Sequence, residues 1–187
     1  MKKIYITGCA KSGTTLVRRL FNAFEGLNVC NKHEIKPEDF AKSDYDVGKR
    51  LDSLFAGKLE WVWTEERPEE ETELCLIKRQ LKIFKDMIII DILRNKKDVM
   101  KSDRDSCLNP YVTNERYEEC MQQRQKYGDV IDYTIVYEEL LVNPDKIQEE
   151  ISELFGLKVK HKWSDYPSFI DVTEESDFTL GGIYKLR

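Results

Sequence analysis

Ile4-Tyr5-Ile6-Thr7-Gly8-Cys9-Ala10-Lys11-Ser12-Gly13-Thr14-Thr15-Leu16-Val17 is the stretch on which the reading of this chain turns. Lys2 to Thr7 has the pattern of a short strand that ends at Gly8. From Thr14 to Phe24 the residues Leu16, Val17, Leu20, Phe21 and Phe24 share one helical face. A strand, a turn with two glycines and a helix therefore open the chain. Such a turn aims backbone N–H groups and a helix N-terminus at one spot, a ready anion site. Its glycines permit the tight bend. Gly8, Gly13 and Thr15 fit the phosphate-loop pattern Gly-x-x-x-x-Gly-Lys-[Ser/Thr], but Thr14 stands where that pattern has lysine. The only lysine of the turn is Lys11. An ordinary ATPase or kinase needs its lysine after the second glycine, to reach the β- and γ-phosphates.

Working outward, Met87 to Leu93 reads Met-Ile-Ile-Ile-Asp-Ile-Leu. A nearly continuous β-branched run suits a strand buried on both faces of a parallel sheet. Leu74 to Ile77 and Tyr133 to Tyr137 are further strand candidates. Glu115 to Tyr127 is expected to be helical, with Gly128 as its C′ glycine. Asn143 and Pro144 suit the N-cap and first position of a helix carrying Ile147, Ile151, Leu154 and Phe155, which Gly156 ends. Strands alternating with helices predict an α/β fold, a three-layer arrangement with a central, mostly parallel sheet flanked by helices. Its crossovers are expected to be right-handed.

The chain has 187 residues, 41% hydrophobic and 35% charged. That is enough for a real core without staples, and is expected to make a single domain over 1–187. Residues 158–187 are less regular and are expected to wrap the sheet as a tail. Thirty Lys and Arg against 35 Asp and Glu give a net charge of −5. This disfavours a non-specific nucleic-acid binder and leaves room for a local basic pocket. No apolar run approaches the roughly 20 residues of a membrane span, and the N-terminus lacks a signal-peptide core. A cytoplasmic location and no membrane partner are expected. Five widely spaced cysteines without a Cys-x-x-Cys pair suggest reduced, buried thiols. The acidic run Glu65 to Glu73, broken by Pro68, reads as a solvated loop.

Lys11-Ser12-Gly13-Thr14-Thr15-Leu16 after a strand resembles the 5′-phosphosulfate loop of sulfotransferases. That family binds PAPS, 3′-phosphoadenosine 5′-phosphosulfate, on a P-loop-like fold. Arg94-Asn95-Lys96-Lys97-Asp98-Val99-Met100-Lys101-Ser102 is similar to the family's 3′-phosphate motif, Arg-Asn-Pro-Lys-Asp-Val-x-x-Ser, with Lys96 in place of proline. Val136-Tyr137-Glu138-Glu139-Leu140, with the helix that follows, resembles the family's Tyr-Glu-Asp-Leu segment. The three matches stand in family order.

The resemblance implies PAPS as co-substrate, PAP as product and no metal. It places Lys11 at the bridging oxygen where charge grows as the sulfur–oxygen bond breaks, an interaction stronger in the transition state than in the ground state. It gives Ser12, Gly13, Thr14 and Thr15 to the 5′-phosphate, and Arg94 with Ser102 to the 3′-phosphate. Arginine suits such a dianion because its fork is bidentate; the alternative is a surface arginine paired with Asp98. Tyr137 would lie near the adenine, or be a core tyrosine at a strand end. Lys78 stands where cytosolic members have Lys-x-His, and is a candidate for stabilising the transition state. Gln80 there cannot act as a base. Thr14-Thr15-Leu16-Val17-Arg18 also looks like tyrosyl-protein sulfotransferases, which carry a catalytic glutamate after the loop helix. Glu34 is accordingly the expected base, with His33 second. His161 reads as solvated. Trp61 and Trp63 could line an acceptor pocket or pack the core. Gly181-Gly182-Ile183-Tyr184-Lys185 weakly resembles the family's C-terminal Gly-x-Trp-Lys, which would bring Lys185 and Arg187 over the 3′-phosphate.

Residues 35–73 are expected to shape the acceptor pocket, for a small-molecule, glycan or peptide acceptor. Two rival readings remain at this level. One is a PAP-binding protein without turnover, suggested by Gln80. The other is a P-loop nucleotide or small-molecule kinase, suggested by the glycine spacing, in which Asp91 would serve as the acid after the Ile-Ile-Ile run.

Overall fold

The computed structural model describes residues 3–31, 35, 37–49, 85–106, 112–167 and 169. The expected strand at 74–77, the acidic run, His33, Glu34, Trp61, Trp63, Lys78, Lys185 and Arg187 lie outside them.

Among the described residues, four strands form one parallel sheet: β1 (Lys3–Gly8), β2 (Val47–Lys49), β3 (Met87–Leu93) and β4 (Tyr133–Val136), in the order β2-β1-β3-β4. The expected parallel α/β sheet is present, and β3 spans the predicted residues. Side chains alternate across the pleat. Ile4 and Ile6 on β1 and Ile88, Ile90 and Ile92 on β3 enter one buried cluster, whereas Tyr5, Met87 and Ile89 enter another on the opposite face. Both faces are therefore covered, which is why β3 is apolar almost throughout. The exception is Asp91, which is 1% exposed.

On the first face lie α1 (Thr14–Leu20), α5 (Tyr137–Val142) and α6 (Pro144–Phe155). α2 (Pro37–Lys42) brings Phe40 onto Tyr5 on the other face. α3 (Lys96–Ser106) and α4 (Asn114–Tyr127) contribute Val99, Tyr117 and Cys120 to a third cluster that holds Cys9 and Ala10 of the glycine-rich turn. Trp163 is fully buried among Phe21 and Phe24, and its Nε1 donates to the Leu20 carbonyl at 2.9 Å. The start of the expected tail is thus built into the core. Among the described residues, no helix is long and apolar enough to cross a membrane.

Local departures have local causes. The first helix tightens into a 3-10 turn at Phe21–Ala23, and Phe24 is already extended. Tyr137 opens α5 instead of closing β4. Gly128 is right-handed (φ −63°) and leads into a 3-10 turn, so it is not a C′ glycine. Asn143 precedes α6 without a side-chain cap. Gly156, at φ 65°, does end α6 in the left-handed conformation, as expected.

Candidate functional site

β1 connects to β2 on one side and β3 lies on the other, so the sheet order reverses between β1 and β3. Ligands of open α/β sheets bind outside the carboxyl ends of the strands at such a point. Gly8 of β1 pairs with Ile92 of β3. The turn 9–13 and Arg94 therefore leave adjacent strands at the same end of the sheet.

The turn is held in an unusual shape. Lys11 has φ 65°, the only positive value for a non-glycine among the described residues, and Gly8 and Gly13 have φ 152° and 104°. The Ser12 N–H donates to the Cys9 carbonyl at 3.1 Å, and the Val17 N–H to the Gly13 carbonyl at 3.1 Å. Ser12 is 1% exposed and its hydroxyl has no hydrogen-bond partner. A buried hydroxyl without a partner costs about 1–3 kcal/mol. A site that binds an oxyanion has a use for it. Thr14 is buried, and Lys11 and Thr15 are half-buried.

Arg94 joins the turn directly. Its Nη1 donates to the Lys11 carbonyl at 3.0 Å, and its guanidinium carbon stands 4.2 Å from the centre of the Tyr137 ring. It turns toward the loop and not toward Asp98. Its Nε is buried without a hydrogen-bond partner. Gly13 abuts the same ring: a Cβ there would lie 2.4 Å from Tyr137 Cδ2 and Cε2. Burial holds the Tyr137 phenol above its ordinary pKa, with the Arg94 charge pulling partly the other way.

The backbone around Arg94 is pinned as well. The Tyr117 hydroxyl donates to the Arg94 carbonyl at 2.9 Å, and the Asn95 N–H donates to Glu138 Oε1 at 2.9 Å. Asn95 Oδ1 accepts from the Lys97 N–H, starting α3 with a side-chain cap. Ser102 is half-buried in the second turn of that helix. Lys96, which replaces the motif proline, pairs with Glu118 at 2.6 Å.

The structure thus brings together Lys11, Ser12, Gly13, Arg94 and Tyr137 of the predicted residues, and sets Thr14 and Thr15 at the start of α1. His161 is exposed and far along the chain from them. Sequence reasoning gave no role to three supporting residues: Tyr117 carried no signal, and Glu138 and Arg18 stood in the motifs only as matching letters. Arg18 is buried in α1 and donates to the Cys30 carbonyl. Burial, then the neighbouring Arg19, lowers its pKa. Asp91 is bound to Arg124 on α4, which also donates to Thr134 Oγ1 at 3.0 Å. That carboxylate is occupied as a buried ion pair. Among the described residues, no group of His, Cys, Asp and Glu comes together as a metal site.

The parallel sheet, the glycine-rich turn after β1 and the flanking helices are the architecture of the sulfotransferase-like α/β fold. Among solved structures, mouse sulfotransferase SULT7A1 complexed with PAP matches with a TM-score of 0.53 and 15% identity, over 94% of this chain and 64% of that one. At that identity the likeness speaks for the fold. The chain spans 64% of the length of the mouse enzyme. No protein-family model matches the sequence, and no curated protein matches it.

Proposed function

We propose that this protein is a sulfotransferase that moves the sulfuryl group from PAPS to a hydroxyl or amine of an acceptor. The observation that carries the reading is the meeting of Arg94 with the Lys11 turn, in which one buried hydroxyl and one buried guanidinium N–H lack partners. These orphaned donors fit a bisphosphorylated nucleotide: Ser12 faces the 5′ side and Arg94 the 3′ side. The fold shared with a sulfotransferase complexed with PAP supports the same choice.

PAPS supplies an activated sulfuryl group whose leaving group is a phosphate. In this reading the N–H groups of the turn and the hydroxyls of Ser12, Thr14 and Thr15 hold that phosphate. The Lys11 ammonium neutralises the charge that develops on its bridging oxygen. Arg94 and Ser102 bind the 3′-phosphate and so set the nucleotide's register. Glu34, with His33 second, takes the acceptor's proton; Lys78 is the second cation for the transition state. Arg18 fastens α1 to Cys30, four residues before Glu34 in the chain. The kinase reading is less well supported, because Thr14 replaces the needed lysine and Asp91 is committed to Arg124.

Calorimetric titration with PAP, ADP and ATP·Mg²⁺, for the parent and Arg94→Ala, tests the proposal. Preferential PAP binding that is lost in Arg94→Ala is the expected result, followed by label transfer from sulfur-labelled PAPS to an acceptor panel. Preference for ATP·Mg²⁺ unaffected by Arg94→Ala would overturn it. PAP binding without transfer to any acceptor would favour a binding protein.

A further inference from the structure

Tyr137 is 7% exposed, and its surroundings suit a different task from stacking on a base. Arg94 covers one face of the ring at 4.2 Å, and Gly13 abuts the Cδ2–Cε2 side so closely that no Cβ fits between. The next residue, Glu138, accepts from the N–H of Asn95, the residue after Arg94. Two consecutive residues of α5 thus grip two consecutive residues at the end of β3, one through the side chain and one through the backbone.

We propose that Tyr137 is a positioning residue for 3′-phosphate recognition, acting by fixing the guanidinium plane of Arg94. The inference rests on the PAPS reading above. An arginine on a mobile stem loses rotamer freedom when it grips an anion; one already laid on an aromatic face has lost it beforehand. The stacked guanidinium also keeps its Nη1 on the Lys11 carbonyl, so the buried Nε is left as a donor in a fixed direction. Glu138 fixes the backbone from which that side chain springs.

This role has a signature that a base platform lacks. Stacking on adenine contributes equally to PAP and to AMP, which has no 3′-phosphate. Positioning Arg94 contributes to PAP alone. The quantity to measure is the ratio of AMP to PAP dissociation constants, by calorimetry on the full chain, for the parent, Tyr137→Phe and Tyr137→Leu. Leucine fills much of the space without a flat face for the cation; phenylalanine keeps the face. The same ratio is then measured for Arg94→Ala and for Arg94→Ala with Tyr137→Leu.

The expected result is a ratio within about threefold of the parent for Tyr137→Phe. For Tyr137→Leu the ratio falls about tenfold, while AMP affinity moves less than about threefold. In the Arg94→Ala background the leucine substitution changes the ratio little, because residues acting as a unit are not additive. Equal losses of PAP and AMP, or an undiminished leucine effect without Arg94, would overturn the inference while leaving the sulfotransferase reading standing. A parent that binds PAP no better than AMP would overturn both. A thermal melt checks each variant; if Tyr137→Leu does not fold, Tyr137→Met serves in its place, being flexible and equally without a flat face.

Discussion

Replacing Gly13 with alanine drives a methyl group into the Tyr137 ring. Its Cβ would stand 2.4 Å from Cδ2 and Cε2, at a φ of 104°. The left-handed backbone costs a non-glycine residue about 1–2 kcal/mol. Forcing extra volume against a packed side chain costs about 1–3 kcal/mol more. The ring cannot swing away without giving up its place under Arg94. The sum is about 2–5 kcal/mol, a large share of the stability of a typical domain. Gly156 offers an internal control: its φ is 65°, and a Cβ there meets nothing within 4 Å. Gly156→Ala should therefore show the backbone cost alone. For a chain of this size each kcal/mol lowers the melting temperature by about 2–4 °C. Calorimetric melts of both variants should place Gly13→Ala several degrees below Gly156→Ala. Equal melting temperatures would refute the claim that Tyr137 is wedged against the turn.

Further outcomes follow from single contacts. Ser12→Ala removes a buried hydroxyl with no partner, so it should leave stability unchanged or raise it by up to about 2 kcal/mol in denaturant melts while weakening PAP binding in calorimetry. Burial raises the Asp91 pKa, against the opposing effect of Arg124. The native state then holds that proton more tightly than the unfolded chain, so this residue's contribution to stability falls as pH rises from the ordinary carboxylate value toward the folded one. Arg124→Met should cost about 3–5 kcal/mol by leaving a buried carboxylate unpaired, and denaturant melts across pH 4–8 should show that fall continuing to higher pH than in the parent. Trp163→Ala should cost about 3–5 kcal/mol in the same melts, since its ring is wholly buried against Phe21 and Phe24.

Much of the sheet was legible because burial on both faces leaves a mark in the sequence. β1 is mainly apolar, β3 is apolar but for Asp91, and α6 shows its stripe of Ile147 and Ile151. β2 left no such mark. Val47-Gly48-Lys49 is short, and its place is fixed by partners distant in sequence: Ile4 and Tyr5 in the ladder, with Phe40 and Ile35 close over Gly48. Trp163 lay in a stretch with no periodicity, so its burial could be read only from the fold. The turn 8–15 was legible by glycine spacing. The neighbourhood of Arg94 with Lys11 was not, because it follows from β1 pairing with β3 across more than 80 residues of chain. Tyr117 and Glu138 are ordinary polar residues of helices until that pairing sets them beside Arg94.

The indole of Trp163 bonds to Leu20 across a separation of 143 residues, and Lys160 bonds to Ala23 in the same region. The helix that follows the glycine-rich turn is therefore finished by a segment that lies 143 residues further along the chain. During synthesis, β1 and its turn must wait with an unsealed apolar flank until that segment arrives. Closures of such span are slow, because the chain surrenders its freedom before any contact repays the loss. The packing that finishes this helix should consequently be completed late in refolding, after most of the helix signal has returned.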